Sequence, residues 1–163
     1  MILVSDASPI ISLSAVAQLD LLERLYGRVL IPEAVNQEIL RGGPGRPGSA
    51  EIRERAWMKI LPVQNQVLSR ALEGELDWGE AEAIVLAVET KADLLLMDER
   101  RGRLAAIRLG VKVVGTLGVL IEAKQKGLLT AVAPILNDLL GKAGLRVSPE
   151  LYRQVIETAG ERS

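Results

Sequence analysis

The sequence has 163 residues, 48% apolar and 25% charged, enough to bury about 70% of its unfolded surface as one domain spanning 1–163. It contains no cysteine and no histidine, which excludes Ser-His and Cys-His nucleophiles and thiolate or imidazole metal sites, and leaves carboxylates, hydroxyls and the hard cations they bind. Lys and Arg total 20 against 21 Asp and Glu, for a net charge of −1, so total charge does not attract nucleic acid.

Short apolar runs alternate with longer helical segments, the pattern of a parallel α/β sheet. Ile2–Ser5 is the first strand; with no basic flank it does not read as a signal peptide. A helix follows over Pro9–Tyr26, capped by Ser8 and broken around Ala17–Asp20. The second strand, Arg28–Ile31, leads into a helix over Pro32–Arg41 with Pro32 as its first residue. Gly42–Gly48 is a glycine- and proline-rich loop, followed by a helix over Ser49–Ala56 and a weakly marked third strand, Lys59–Val63. Helices at Gln66–Leu72 and Gly79–Thr90 precede the fourth strand, Asp93–Met97. A helix over Glu99–Leu109, the fifth strand Val111–Val114 and a helix over Leu117–Gln125 complete the alternation.

Residues 128–163 form a C-terminal helical extension, a hairpin of Leu129–Leu140 and Pro149–Thr158. The face made by Leu129, Val132, Leu136 and Leu139 suits a partner helix as well as the sheet, and a homodimer is expected. No apolar run approaches the ~20 residues that span a bilayer. With no cysteine and no signal segment, the expected location is the cytoplasm.

In open parallel sheets ligands bind beyond the carboxyl ends of the strands. Asp6 and Asp98 follow the first and fourth strands, and both project from one edge if those strands are neighbours. Asp98 equally suits an N-cap for the helix after it. On the helix after Gly79, Ala83, Ile84 and Ala87 fall within about 60° of Glu80. Glu82 lies about 200° away, so Glu80 is expected to face inward and Glu82 water. Asp77-Trp78-Gly79-Glu80 also fits a capping box, in which Glu80 returns to the backbone of Asp77. Glu38 borders the stripe of Val35 and Ile39, where a solvated glutamate is the competing reading.

Gathered together, such carboxylates repel one another unless a cation neutralises them. Mg²⁺ or Mn²⁺ suits oxygen ligands and activates water against a phosphodiester, which points to metal-assisted hydrolysis of a nucleic-acid backbone. Arg100, Arg101 and Arg103, and Arg41 and Arg46 in the loop, are placed to contact phosphates, with solvated surface charge as the alternative. A phosphorylated Asp6 is a poor rival. Ser8 stands where a haloacid-dehalogenase-type enzyme carries a second Asp, and Lys112 lies inside the strand after which a receiver carries its Lys. No glycine-rich phosphate loop follows the first strand, and Thr116 after Gly115 reads as a helix cap. Trp57 and Trp78 read as core or interface rather than as base-stacking platforms.

Asp6-Ala7-Ser8-Pro9-Ile10, Ile31-Pro32 with Val35 and Glu38-Ile39, Gly79-Glu80-Ala81-Glu82-Ala83-Ile84, and Asp98-Glu99-Arg100-Arg101, in this order and spacing, resemble the PIN domain, and within it the VapC-like group of prokaryotes. The resemblance covers nearly the whole chain. It implies a three-layer α/β/α sandwich with a five-stranded parallel sheet, and an acidic cluster that binds Mg²⁺ or Mn²⁺ and cleaves RNA. By position those acids are Asp6, Glu38, Glu80 and Asp98, with Ser8 as a supporting hydroxyl and Glu82 and Glu99 as alternates in a shifted register. Two departures stand out: the family more often has Asp at Glu80, and Thr or Ser at Met97. A VapC-like toxin would further require an antitoxin protein. The rival from another class is a PIN-like module that binds RNA or protein without turnover.

Overall fold

The computed structural model describes residues 1–43 and 45–162; Pro44 of the predicted loop and Ser163 lie outside them. Five short strands pair in parallel: β1 (Ile2–Ser5), β2 (Arg28–Pro32), β3 (Met58–Leu61), β4 (Leu94–Leu96) and β5 (Val113–Val114), in the order β3-β2-β1-β4-β5. Parallel pairing demands crossovers, and the helices between the strands supply them and cover the sheet as an α/β/α sandwich. At its centre β1 lies between β2 and β4: Leu3, Val4, Leu95 and Leu96 are fully inaccessible, with Val4 in register with Leu95. The edge strand β3 is the most exposed, with Ile60 41% accessible, which explains its faint sequence signature.

The chain builds β1, β2 and β3 outward in one direction, then returns to place β4 on the other side of β1. The crevice at such a reversal, beyond the carboxyl ends of β1 and β4, is where doubly wound sheets take ligands. The helices that follow the strands are α1 (Ala7–Ala15) and α2 (Leu21–Tyr26) after β1, α3 (Glu33–Leu40) and α4 (Ser49–Glu54) after β2, α5 (Gln66–Leu72) and α6 (Trp78–Glu89) after β3, α7 (Arg100–Arg108) after β4 and α8 (Thr116–Gln125) after β5. The predicted break after α1 is present, with Ala17 at φ 57°. Two starts differ from expectation. Pro32 ends β2 in extended conformation and α3 begins after it, while α1 begins at Ala7, so Ser8 lies in its first turn rather than capping it.

α6 is enclosed on every side, with each residue from Gly79 to Ala87 buried. α9 (Ala133–Lys142) packs on α1, and α10 (Pro149–Thr158) on α8. Val132, Leu136 and Leu139 are fully buried in this packing and Leu129 is partly buried, so the chain's own elements cover most of the face they share. Trp57 packs against the core, whereas Trp78 is 40% exposed. None of the helices among the described residues is long and apolar enough to cross a membrane.

Candidate active site

Asp6 leaves β1 with its backbone still tied to the sheet, its N–H donating to the Leu96 carbonyl at 2.9 Å. It occupies the N-cap position of α1, yet its side chain makes no capping hydrogen bond. The residue is only 4% exposed. Burial pushes its carboxyl up to about 7, the Ala7 amide opposes the rise, and the negative charges of Glu38, Glu80 and Asp77 add to it.

Those neighbours arrive from two helices. α6 opens with the capping box expected from the sequence: the Glu80 N–H donates to Asp77 Oδ1 at 2.8 Å, and the Asp77 N–H to Glu80 Oε1 at 3.1 Å. Glu80 is nonetheless buried and lines the cleft with Asp6 and Glu38, so the capping role and the inward placement coexist. Glu38 comes from α3, which packs along α6. Burial raises its carboxyl and Asp77 raises it further, against the pull of Arg41. The Glu80 carboxyl is raised by burial, with the Asp77 amide lowering it and the charges of Asp77 and Glu99 raising it.

Gly79 makes this convergence possible. A Cβ there would stand 2.9 Å from Glu38 Oε1, 3.6 Å from Asp77 Oδ1 and 3.8 Å from Asp6 Oδ1. Three carboxylates from three elements thus crowd over one bare Cα. The cleft around them has a volume of about 460 Å³ and is also lined by Ser8, Glu75 and Glu99, with Arg100 and Arg101 on its wall. Among the described residues, no three acids stand close enough to form a ready-made ion cage.

Asp98 is placed differently from the other three expected acids. Its Oδ1 accepts from the Thr116 N–H at 2.8 Å and its Oδ2 from the Thr116 hydroxyl at 2.6 Å, so it caps α8 rather than the helix directly after it. A side chain on Gly115 would meet Asp98 Oδ1 and Arg103 Nη1, each at 2.9 Å, which accounts for the glycine. Arg103, expected among the phosphate contacts, instead turns inward and donates to the Met97 carbonyl at 3.0 Å. Met97 is fully buried over Gly102, where a Cβ would overlap its sulfur. Glu82 corrects the helical-wheel reading: it is 6% exposed, and its Oε1 accepts from the Ala34 N–H at 3.0 Å, at the start of α3.

A profile for a family described as a PIN domain matches residues 2–161. The chain belongs to the PIN-domain family. No curated protein matches the sequence. PIN domains are generally nucleases and typically use divalent metals, and the cleft of this PIN domain has the chemistry for one. Its donors are all oxygens, the set that hard cations prefer. Asp6 is buried with no capping duty, and the Gly79 cradle keeps space open among the carboxylates. Asp77 and Glu75 also line the cleft; in the sequence Asp77 reads only as a helix cap, and the density of acids from Glu73 to Glu82 is the signal that marks both.

Proposed function

We propose that this PIN domain is a divalent-metal-dependent ribonuclease, with Asp6, Glu38 and Glu80 holding Mg²⁺ or Mn²⁺ and Asp77 beside them. The observation that carries this is the crowding of Asp6, Glu38 and Asp77 oxygens over Gly79. When bound, the cation would neutralise the acids, lower the pKa of a water and offset charge on the phosphate under attack. Burial of Asp6 keeps bulk water from screening its carboxylate, so that its hold on a cation is strong. Arg100, Arg101 and the Ser8 hydroxyl line the same cleft and orient the RNA phosphate there. Asp98 keeps a place in the proposal one step back: by gripping Thr116 it fixes the end of β4, from which Glu99 and the arginines enter the cleft.

Residues 1–163 act as one unit in this reading, the C-terminal helices included. The VapC-like resemblance extends it to a cytoplasmic toxin restrained by an antitoxin. A second reading, an RNA- or protein-binding module without turnover, is favoured by one observation: Glu80 and Asp98 are each engaged with backbone N–H groups. Labelled single-stranded and structured RNAs separate the two. The nuclease reading expects cleavage with Mg²⁺ or Mn²⁺ that is lost with EDTA and with Asp6→Asn. Cleavage that survives both controls contradicts it, and RNA that is bound with metal present but left intact supports the binding module.

A further inference from the structure

The acid cleft adjoins a second cleft of about 410 Å³. The two share Ser8, Glu99 and Arg100. From that shared edge the second cleft runs to the connection between α9 and α10, where Ala143, Gly144, Leu145 and Arg146 form its far wall. The connection is held in shape: the Leu145 N–H donates to the carbonyl of buried Leu139 at 3.1 Å, and Gly144 turns the chain at φ 69°. Beyond the turn Arg146 is exposed.

Arg100, Arg101 and Arg146 form no ion pair among the described residues, although Glu75 and Glu99 line the clefts with them. Guanidinium groups left without carboxylate partners along a continuous groove suit an external chain of anions. A polyanion that lies along the arginines and also reaches an acidic, cation-dependent centre has the chemistry of a nucleic-acid backbone; an acidic peptide offers that centre no phosphodiester. Among the described residues no aromatic side chain lines either cleft, so contact at this end is to phosphate rather than to stacked bases.

We propose that Arg146 binds a backbone phosphate of single-stranded RNA at a distance from the bond cut in the acid cleft, making the α9–α10 connection part of the substrate path. The inference rests on the ribonuclease reading. The test is binding of a fluorescent single-stranded RNA to the full chain in EDTA over a salt series, with cleavage measured in Mg²⁺. Arg146→Ala should weaken binding about tenfold and reduce the salt slope by about 0.7, the value for one phosphate contact on a single strand. It should raise KM with kcat little changed, because the contact is made equally before and during reaction. Arg146→Lys should restore most of the slope, and Arg28→Ala, at the opposite end of the sheet, should behave as wild type. If wild type cuts RNA while Arg146→Ala matches it in affinity, slope and KM, the inference falls and the ribonuclease reading stands. If wild type neither binds nor cuts RNA, both fall.

Discussion

Asp6 is a buried carboxylate whose surroundings are unfavourable to its charge, and that has a measurable consequence without any metal. Its carboxyl is raised from 3.8 to about 7 by burial first and then by the acids around it. Between those values the folded protein keeps a proton that the unfolded chain has released, so stability falls as pH rises through this window and levels off above it. Asp6→Asn removes the titration. In EDTA, urea unfolding should show wild type losing a few kcal/mol more than Asp6→Asn between pH 4 and pH 8. Parallel pH profiles would show that Asp6 is not in the environment described. The sequence placed Asp6 at the end of β1, but it also offered Ser8 as a cap, and only the start of α1 at Ala7 shows that Asp6 holds the cap position without using it.

At the scale of elements, the strand and helix positions were legible to within a few residues, because runs of Val, Ile and Leu and the 100° helical period carry them. The faces of α6 were not. A helical wheel presumes one wet side, and α6 has none from Gly79 to Ala87. Glu82 therefore spends its charge on the first turn of α3, tying the helix that carries Glu38 to the helix that carries Glu80. Glu82→Gln keeps an acceptor for the Ala34 N–H and should retain most stability and activity. Glu82→Leu leaves that amide unpaired in the interior and should cost about 1–3 kcal/mol in denaturant unfolding, with a loss of cleavage from the displaced Glu38. Equal stability for the two variants would contradict the anchoring role. Asp98 was illegible for a similar reason: its partner, Thr116, is 18 residues away in sequence and comes near only because β5 lies beside β4.

For the whole molecule, strand order decides the site, and no local pattern encodes it. Asp6 and Asp98 share an edge because β4 pairs with β1 rather than with β3. Besides the buried apolar packing of the C-terminal helices, one side chain ties them together: Glu161 accepts from the Val132 and Ala133 amides at 2.6 and 3.0 Å and from Lys124 Nζ at 2.9 Å. Burial works against its charge, but these donors together hold its carboxyl below the ordinary 4.5. The stability it confers is therefore present at neutral pH and is lost as pH falls below 4.5 through the lowered value. Glu161→Gln should lower the melting temperature at pH 7 by the equivalent of about 1–2 kcal/mol, with the difference from wild type shrinking in acid. A gap that persists unchanged at pH 3 would contradict this. The same strand order underlies the central claim, that carboxylates gathered at the reversal between β1 and β4 hold a divalent cation. Calorimetric titration of Mn²⁺ into wild type, Asp6→Asn and Gly79→Ala tests it most directly. Binding should be present in wild type, abolished by Asp6→Asn and weakened by Gly79→Ala, whose methyl group displaces the Glu38 carboxylate while the helix itself is no less stable. Mn²⁺ binding that is absent from wild type, or unchanged in both variants, would contradict the account.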